Sequence, residues 1–153
     1  MKLIDGVHSR LMKIITDERG RLAEILRSDS EIFKKFGQVY FTTANPGVVK
    51  AWHYHKIQTD YFFCIKGAAK LVLYDSRKDS PTYEMINEFS TGEHNPLLVV
   101  IPPHVYHGFK TISPEESIMI NIPTEPYNHA NPDEYRLDPD AGQIPYNWAG
   151  KDQ

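Results

Sequence analysis

The sequence is poor in the residues that mark several classes of protein. Only one of its 153 residues, Cys64, is a cysteine, which excludes an intrachain disulfide framework and any zinc site built from several cysteines. No apolar run approaches the ~20 residues that a membrane-spanning helix needs, and residues 1–10 lack the apolar core of a signal peptide. Lys and Arg number 17 against 20 Asp and Glu, so no excess of positive charge is available to hold a nucleic-acid backbone. We therefore expect a cytoplasmic protein that binds neither nucleic acid nor membrane.

The sequence is rich in short segments of β type. Eleven Pro and nine Gly separate stretches that hold most of the nine Tyr and seven Phe, and several stretches alternate as half-buried strands do. The predicted strands are residues 11–15, 21–26, 38–43, 48–55, 59–66, 68–75, 83–89, 97–101, 106–111 and 116–122. About ten short strands with turns between them predict an all-β sandwich or jelly-roll barrel.

Two segments depart from the strand pattern. Residues 31–36 are predicted as a short helix, because side-chain oxygens of residues 28–30 can cap its free N–H groups. From Pro123 onward Pro, Asn, Asp and Tyr predominate, which predicts an irregular tail over 123–153 packed on a barrel core of about 9–122. Because domains cluster near ~100–150 residues, we expect 1–153 to form a single domain.

Three histidines and a carboxylate form the most informative pattern. His53 and His55 are two residues apart, so on a strand they share a face. Asp60 begins the next apolar strand, and His107 stands in a later one. Three imidazoles and one carboxylate, with open coordination positions left over, suit a divalent metal such as Zn, Fe, Mn or Ni. The same residues equally suit the polar lining of a ligand cavity, so both interpretations stay open.

The spacing of these residues resembles the two motifs of the cupin superfamily. The first motif places Gly, His-X-His, an acidic residue and Gly at intervals that match the run from Gly47 to Gly67, with Asp60 where Glu is usual. The second motif, which closes on Pro-X-Gly and a histidine, is similar to residues 92–107, with His104 in place of Gly. The resemblance implies a cupin jelly-roll barrel whose site lies inside the barrel mouth.

A narrower resemblance covers nearly the whole chain. The sequence is similar to the dTDP-4-dehydrorhamnose 3,5-epimerase family of nucleotide-sugar enzymes, over residues 17–24, 49–54, 101–109 and, more loosely, 127–148. The resemblance implies that His53, oriented by Asp138 or Asp140 of the tail, removes the proton α to the carbonyl of a ketosugar. A neutral imidazole beside a carboxylate suits that role near neutral pH.

The same resemblance implies which residues hold the substrate. Arg19 and Lys50 match positions that bind the diphosphate, Glu24 matches one that contacts the nucleotide base, and His107, in the matching segment 101–109, is expected to bind the substrate. It also implies a homodimer, because the related enzymes pair their barrels through their sheets. The reaction as such requires no cofactor.

Two residues depart from the family at chemically important positions. By motif register, Asp60 replaces a lysine that stabilises the enolate oxygen, and Ile120 replaces the tyrosine that acts as acid. Tyr106 is a substitute acid only if a bulge turns it inward. Since His55 and Asp60 restore the ligand pattern of metal-binding cupins, a divalent ion at His53, His55, Asp60 and His107 can take over the role of the lysine as a Lewis acid.

We therefore predict an epimerase or isomerase of a nucleotide-linked ketosugar for surface polysaccharide biosynthesis, with His53 as base and His55 as its catalytic partner. Sugar 3,4-ketoisomerases resemble the chain at His53, His55, Lys56 and Gln58, and in them the paired histidines act as acid and base without a metal. Three alternatives stay open: a metal-dependent sugar isomerase, a non-catalytic protein that binds sugar nucleotides, and a metal cupin of another class, such as a dioxygenase.

Overall fold

The structure, a computed structural model, describes residues 1–150 and confirms the all-β prediction. Within those residues it contains no helix and twelve strands. They are β1 (His8–Leu11), β2 (Ile15–Asp17), β3 (Gly20–Leu22), β4 (Tyr40–Ala44), β5 (Val49–Tyr54), β6 (Asp60–Lys66), β7 (Ala68–Asp75), β8 (Ile86–Gly92), β9 (Leu97–Ile101), β10 (Val105–Thr111), β11 (Ser117–Asn121) and β12 (Tyr135–Arg136).

Ten of these strands form two antiparallel sheets of five that pack face to face. The first sheet has the order β1-β9-β6-β11-β4 and the second the order β12-β5-β10-β7-β8, while β2 and β3 form a separate hairpin. One cluster of buried side chains takes Phe62 and Val99 from the first sheet and Leu71 and Phe109 from the second. This arrangement is a jelly roll, as the sequence predicts.

Both sheets are also covered on their outer faces, which explains the continuous apolar runs of the central strands. In β7, Leu71 faces the core between the sheets, while Val72 faces outward and packs with Trp148 of the tail. On the first sheet, Phe63 faces outward and is packed by Ile32 of the segment that precedes β4.

The helix predicted over residues 31–36 is wrong. A single turn closes where Phe33 N–H donates to the carbonyl of Ser30 at 3.0 Å, and the chain is irregular and non-helical from there to β4. The carboxylate expected to cap the helix, Asp29, instead accepts two hydrogen bonds from Arg27. A helix this short is marginal without tertiary support. Here the carbonyl of Ile32 accepts a hydrogen bond from the Tyr61 hydroxyl, so the contacts with the first sheet determine the local backbone.

The tail after Pro123 is irregular apart from β12, in agreement with the prediction, and residues 151–153 of it lie outside the described residues. β12 pairs with β5, so that Tyr135 lies opposite Tyr54 and Arg136 opposite His53. This pairing brings the tail across one end of the space between the sheets. Over the described part of the chain, no helix has the length and apolar character needed to cross a bilayer.

A buried carboxylate at the end of β7 gives the fold a testable pH dependence. Asp75 is fully buried and accepts hydrogen bonds from Arg77, Ser80 and Thr82. Burial alone would raise the pKa of Asp75, but these donors outweigh it and lower the pKa to about 2. Because the pKa of the folded state lies below the unfolded value, this stabilisation is complete above about pH 5 and is lost as pH falls toward 2.

We expect the free energy of unfolding to fall by about 2 kcal/mol more between pH 5 and pH 2 in the wild type than in Asp75→Asn. Urea unfolding at each pH measures this difference. Asp79→Asn, in the exposed loop nearby, is the control and should retain the wild-type slope. Equal slopes in wild type and Asp75→Asn would contradict the assignment.

Candidate active site

A cavity of about 1140 Å³ opens between the two sheets at the end that the tail crosses. This volume is slightly above the ~300–1,000 Å³ typical of small-molecule pockets, so the cavity can take a ligand larger than a single sugar. Strands of the two sheets face each other across the cavity, and the tail contributes a further part of its wall. Its polar lining includes Tyr40, Thr42, Lys50, His53, His55, Gln58, His107, Asn128, Asp133, Glu134, Arg136 and Asp138.

His53 of β5 is the most accessible of the three histidines predicted for the site. Its Nδ1 lies 3.6 Å from Oε1 of Glu134, which is longer than a hydrogen bond. Burial lowers the pKa of His53 more than the carboxylate of Glu134 raises it, so the imidazole is neutral near pH 7. A neutral imidazole in a cavity, with a carboxylate close to its second nitrogen, can accept a proton from a bound substrate.

Glu134 is the carboxylate of the described tail that the structure brings beside His53. Asp138 lines the same cavity but makes no ion pair with the imidazole, and its Oδ1 accepts the backbone N–H of Asp140 at 2.8 Å. Asp140 does not line the cavity. The prediction of a carboxylate from the tail therefore has a structural counterpart, at Glu134.

Behind His53, a second group of residues is buried around Asp60. Oδ2 of Asp60 lies 3.1 Å from Nε2 of His55 and 3.3 Å from Nε2 of His107. Its Oδ1 accepts hydrogen bonds from the side-chain amides of Gln58 and Asn121, each at 2.8 Å. Asp60 is 1% exposed and does not line the cavity, so its negative charge is surrounded by donors and is kept away from a bound ligand.

In each of the two imidazoles of this group, both ring nitrogens lie close to an oxygen acceptor. Nδ1 of His55 lies 2.5 Å from the carbonyl of Asp133, and Nδ1 of His107 lies 3.1 Å from the carbonyl of Val105. Burial alone would lower the pKa of His55, but Asp60 and Asp133 raise it on balance. Burial lowers the pKa of His107 to about 4, so this ring is neutral and has one N–H for two acceptors. The rings of this group therefore carry fewer protons than there are acceptors facing them.

Three of the four predicted metal ligands lie together in this group. One ligand atom each from His55, Asp60 and His107 lies within 4.8 Å of the others, and His53 is outside the group. Imidazoles whose second nitrogen faces a carbonyl oxygen are oriented as metal ligands in proteins commonly are. The donor set thus fits a divalent ion with three protein ligands.

The predicted substrate-binding residues fall into two sets. Lys50 and His107 line the cavity, and the Lys50 ammonium donates to the Thr42 hydroxyl at 3.0 Å. Arg19 and Glu24 do not line it. Arg19 lies in the exposed turn between β2 and β3, paired with Asp17, and Glu24 pairs with Arg27.

Neither Ile120 nor Tyr106, the two positions considered for the catalytic acid, places an acidic group in the cavity. Ile120 of β11 lies opposite Phe63, whose side chain packs on the outer face of the first sheet, and the neighbouring inward position is Asn121. Tyr106 packs against Tyr54 with ring centroids 4.6 Å apart, in the cluster on the outer face of the second sheet. The bulge in β10 lies between His107 and Phe109, beyond Tyr106.

Asp133 is a site residue that sequence reasoning missed. Its carboxylate accepts the backbone N–H groups of Lys56, Ile57 and Gln58 at 2.8–3.1 Å, and its carbonyl accepts from His55. One tail residue thus fixes the loop between β5 and β6 and the ring of His55. The sequence contains no local signal for it, because the contact spans 75–78 residues.

We expect Asp133→Ala to lower the free energy of unfolding by about 1–3 kcal/mol, because three backbone N–H groups, one of them partly buried, lose their acceptor. Urea unfolding monitored by Trp fluorescence measures this loss. Asp140→Ala, at an exposed tail position, should change the free energy by less than about 0.5 kcal/mol. Equal stabilities of the two variants would show that the loop does not depend on Asp133.

Two facing antiparallel sheets, with histidines of β5 and β10 and carboxylates of the tail around a cavity, define a cupin of the sugar-epimerase type. The chain belongs to the family described as the polysaccharide biosynthesis C-terminal domain, whose model matches residues 15–135. Solved dTDP-4-dehydrorhamnose 3,5-epimerases share the fold.

Three relatives are similar over almost their whole length. The probable low-salt glycan biosynthesis epimerase Agl13 of Haloferax volcanii is 41% identical over 97% of this chain and 96% of its own. The spore coat polysaccharide biosynthesis protein SpsL of Bacillus subtilis is 39% identical over 95% of this chain and 97% of its own. A crystal structure of a dTDP sugar isomerase from Desulfovibrio desulfuricans G20 has a TM-score of 0.92 and 33% identity, covering 97% and 94% of the two chains. The predictions of a cupin similar to the dTDP-4-dehydrorhamnose 3,5-epimerases and of a carbohydrate epimerase or isomerase are confirmed.

Proposed function

We propose that the protein is a cytoplasmic enzyme that epimerises or isomerises a 4-keto-6-deoxyhexose linked to dTDP or a similar nucleotide, for the synthesis of a surface polysaccharide. The observation that carries the proposal is the neutral imidazole of His53, beside Glu134, in a cavity large enough for a nucleotide sugar. The similar proteins include a glycan biosynthesis epimerase and a dTDP sugar isomerase, which supports the substrate class.

In this proposal His53 removes a hydrogen from the carbon next to the carbonyl. The electron pair of the broken C–H bond moves into the carbonyl and leaves an enolate oxygen. Lys50 supplies a positive charge to the diphosphate, and Glu134 stabilises the imidazolium that forms on His53. The proton transfer requires no cofactor.

Hydrogen exchange tests the proposal directly. The wild-type protein is incubated in D₂O with dTDP-4-keto-6-deoxyglucose, and deuterium at the carbons next to the carbonyl is measured by mass spectrometry and NMR. Enzyme-dependent deuterium incorporation supports the proposal. Binding of the nucleotide sugar without exchange would instead identify a non-catalytic binding protein.

A metal-assisted isomerase is the second candidate, because the two imidazoles around Asp60 face more acceptors than they have protons. His55, Asp60 and His107 would hold a divalent ion such as Zn, Fe, Mn or Ni. Such an ion supplies Lewis-acid polarisation of a carbonyl. His53, which lies outside the three ligands, keeps its role at the substrate.

Metal content measured by plasma mass spectrometry on untagged protein decides this second candidate. About one ion per chain in the wild type and in His94→Asn, with loss of the ion in His55→Asn, supports it. His94 is the control because it is an exposed histidine on a loop. Wild-type protein without stoichiometric metal contradicts the metal-assisted mechanism and leaves the proposed proton transfer in place.

We further propose that the protein is a homodimer. Arg19 and Glu24 lie outside the cavity of their own chain, so they contact a bound nucleotide only if a second copy supplies them. The hairpin that carries Arg19 and the edge strand β4 also leave large apolar side chains in solvent, and a partner would cover them. These side chains are Ile15 and Leu22 of the hairpin and Phe41 of β4, and beside them Leu11 at the end of β1 and Val39 just before β4.

Mixed dimers test this arrangement. Arg19→Ala and His53→Asn are each expected to be inactive alone. Their co-expression should restore activity, because one of the two sites in a mixed dimer then combines an intact His53 from one chain with an intact Arg19 from the other. Light scattering of the wild type should give twice the chain mass of 17.6 kDa. A monomer, or a failure of the two variants to complement each other, would contradict the proposal.

A further inference from the structure

Tyr40, the first residue of β4, presents a fixed hydroxyl to the cavity. Its oxygen lies 3.0 Å from Nδ2 of Asn121, the residue opposite it on β11. The orientation of the Asn121 amide is set by its other partners, since Oδ1 accepts the backbone N–H of Tyr61 and Nδ2 donates to Asp60. Asn121 is therefore the donor to Tyr40, and the phenol oxygen is the acceptor.

This geometry leaves the O–H proton of Tyr40 without an acceptor among the described residues. Tyr40 lines the cavity, so the proton is available to a bound ligand. Burial, aided by the negative charge of Asp60, raises the pKa of Tyr40 to about 12, and the hydroxyl is therefore protonated at neutral pH. Tyr127 also lines the cavity, but its hydroxyl has no comparable anchor: the ring stacks edge-on against His129.

Tyr40 and His53 stand on opposite walls. Tyr40 belongs to β4 of the first sheet, and His53 belongs to β5 of the second, with the cavity between them. Inversion at a carbon needs this arrangement, because the proton leaves from one face and another must arrive at the opposite face. The inward residue of β11, Asn121, is an amide and cannot provide that proton.

We propose that Tyr40 is the catalytic acid that returns a proton to the enolate on the face opposite His53. The inference rests on the proposed function and assigns the step that completes it. The C–H bond forms with the Tyr40 proton as the enolate electron pair returns to carbon and the carbonyl is restored. Tyr40 is left as phenolate and regains a proton from water, while the His53 imidazolium releases its proton to water.

The variant Tyr40→Phe, which loses one oxygen atom and keeps the ring, should separate removal of the proton by His53 from its return on the opposite face. In D₂O, His53 can still remove and return hydrogen on its own face, so exchange should stay within about 3-fold of the wild type. Formation of the inverted sugar, followed by NMR or by coupling to a reductase, should fall at least 100-fold. Tyr83→Phe, at an exposed turn, is the control and should match the wild type in both assays.

The other outcomes each overturn the proposal. If Tyr40→Phe still forms the inverted product at the wild-type rate, another group is the acid. If exchange and inversion fall together, Tyr40 serves binding or the first proton transfer and is not the acid. If the wild type itself exchanges no hydrogen, the proposed function fails, and that result is distinguishable because it appears before any variant is made.

Discussion

Replacing His53 with Asn is expected to slow deuterium incorporation into the keto sugar by about 10²–10⁴-fold, the usual range for loss of a general base. The amide has no basic nitrogen, and it occupies nearly the same space as the imidazole on β5. Exchange in D₂O, measured by NMR with equal concentrations of protein, determines the ratio. Because Lys50 and the rest of the cavity are unchanged, the affinity for dTDP should stay within about 3-fold.

The control for this variant is His8→Asn on β1, which replaces an exposed histidine in the other sheet. It should exchange hydrogen at the wild-type rate. If His53→Asn also exchanges at that rate, His53 is not the base, and the neutral imidazole has a different role. If affinity for dTDP is lost in parallel, the effect lies in binding and the assignment is wrong.

Asp60→Ala is expected to be the most destabilising substitution in the site, by about 3–5 kcal/mol. Removal of the carboxylate leaves the amides of Gln58 and Asn121 without an acceptor in a buried place, and takes away the negative partner of the His55 ring. Equilibrium unfolding in urea at pH 7 measures the loss. We expect the midpoint to fall without a change in slope.

Asp79→Ala is the matched control for Asp60→Ala, since it deletes an exposed carboxylate and should alter stability by less than about 0.5 kcal/mol. A loss of under about 1 kcal/mol in Asp60→Ala would contradict the view that the buried donors depend on this residue. Asp60→Asn keeps the volume and one acceptor oxygen, so its loss should be smaller.

Most of the strands could be predicted from the sequence because their signal is local, whereas the strand predicted over residues 11–15 is wrong, since residues 12–14 connect β1 and β2. In β7, residues alternate between two covered faces, and turn residues such as Gly67 mark the ends. The helix prediction failed because the backbone there depends on contacts with residues distant in the sequence. Residues 31–36 carry a capping signal, but their backbone is positioned by partners such as Tyr61, far away in the sequence.

The candidate site could be predicted only in part. His53, His55, Lys50 and His107 were recognisable because they lie in two contiguous motifs on strands, and the structure places all four at the cavity. The residues that complete the site are held by contacts that no local pattern encodes. Glu134 reaches His53 through the pairing of β12 with β5, and Tyr40 is oriented by Asn121, 81 residues away.

The placement of the tail has a consequence for how the protein loses activity. The tail supplies the carboxylate beside His53, the carbonyl that holds His55 and part of the cavity wall. In the described residues its strand pairing with the sheets is nevertheless short: β12 pairs with β5, and Leu137 extends the pairing by two backbone hydrogen bonds with Trp52. A local opening that releases this segment costs less free energy than unfolding both sheets, because proteins open in subglobal units of unequal stability. Catalysis should therefore disappear at urea concentrations where the other nine strands of the two sheets are still protected from hydrogen exchange. Inactivation and global unfolding are then separate events, and the lifetime of the active form is set by the tail.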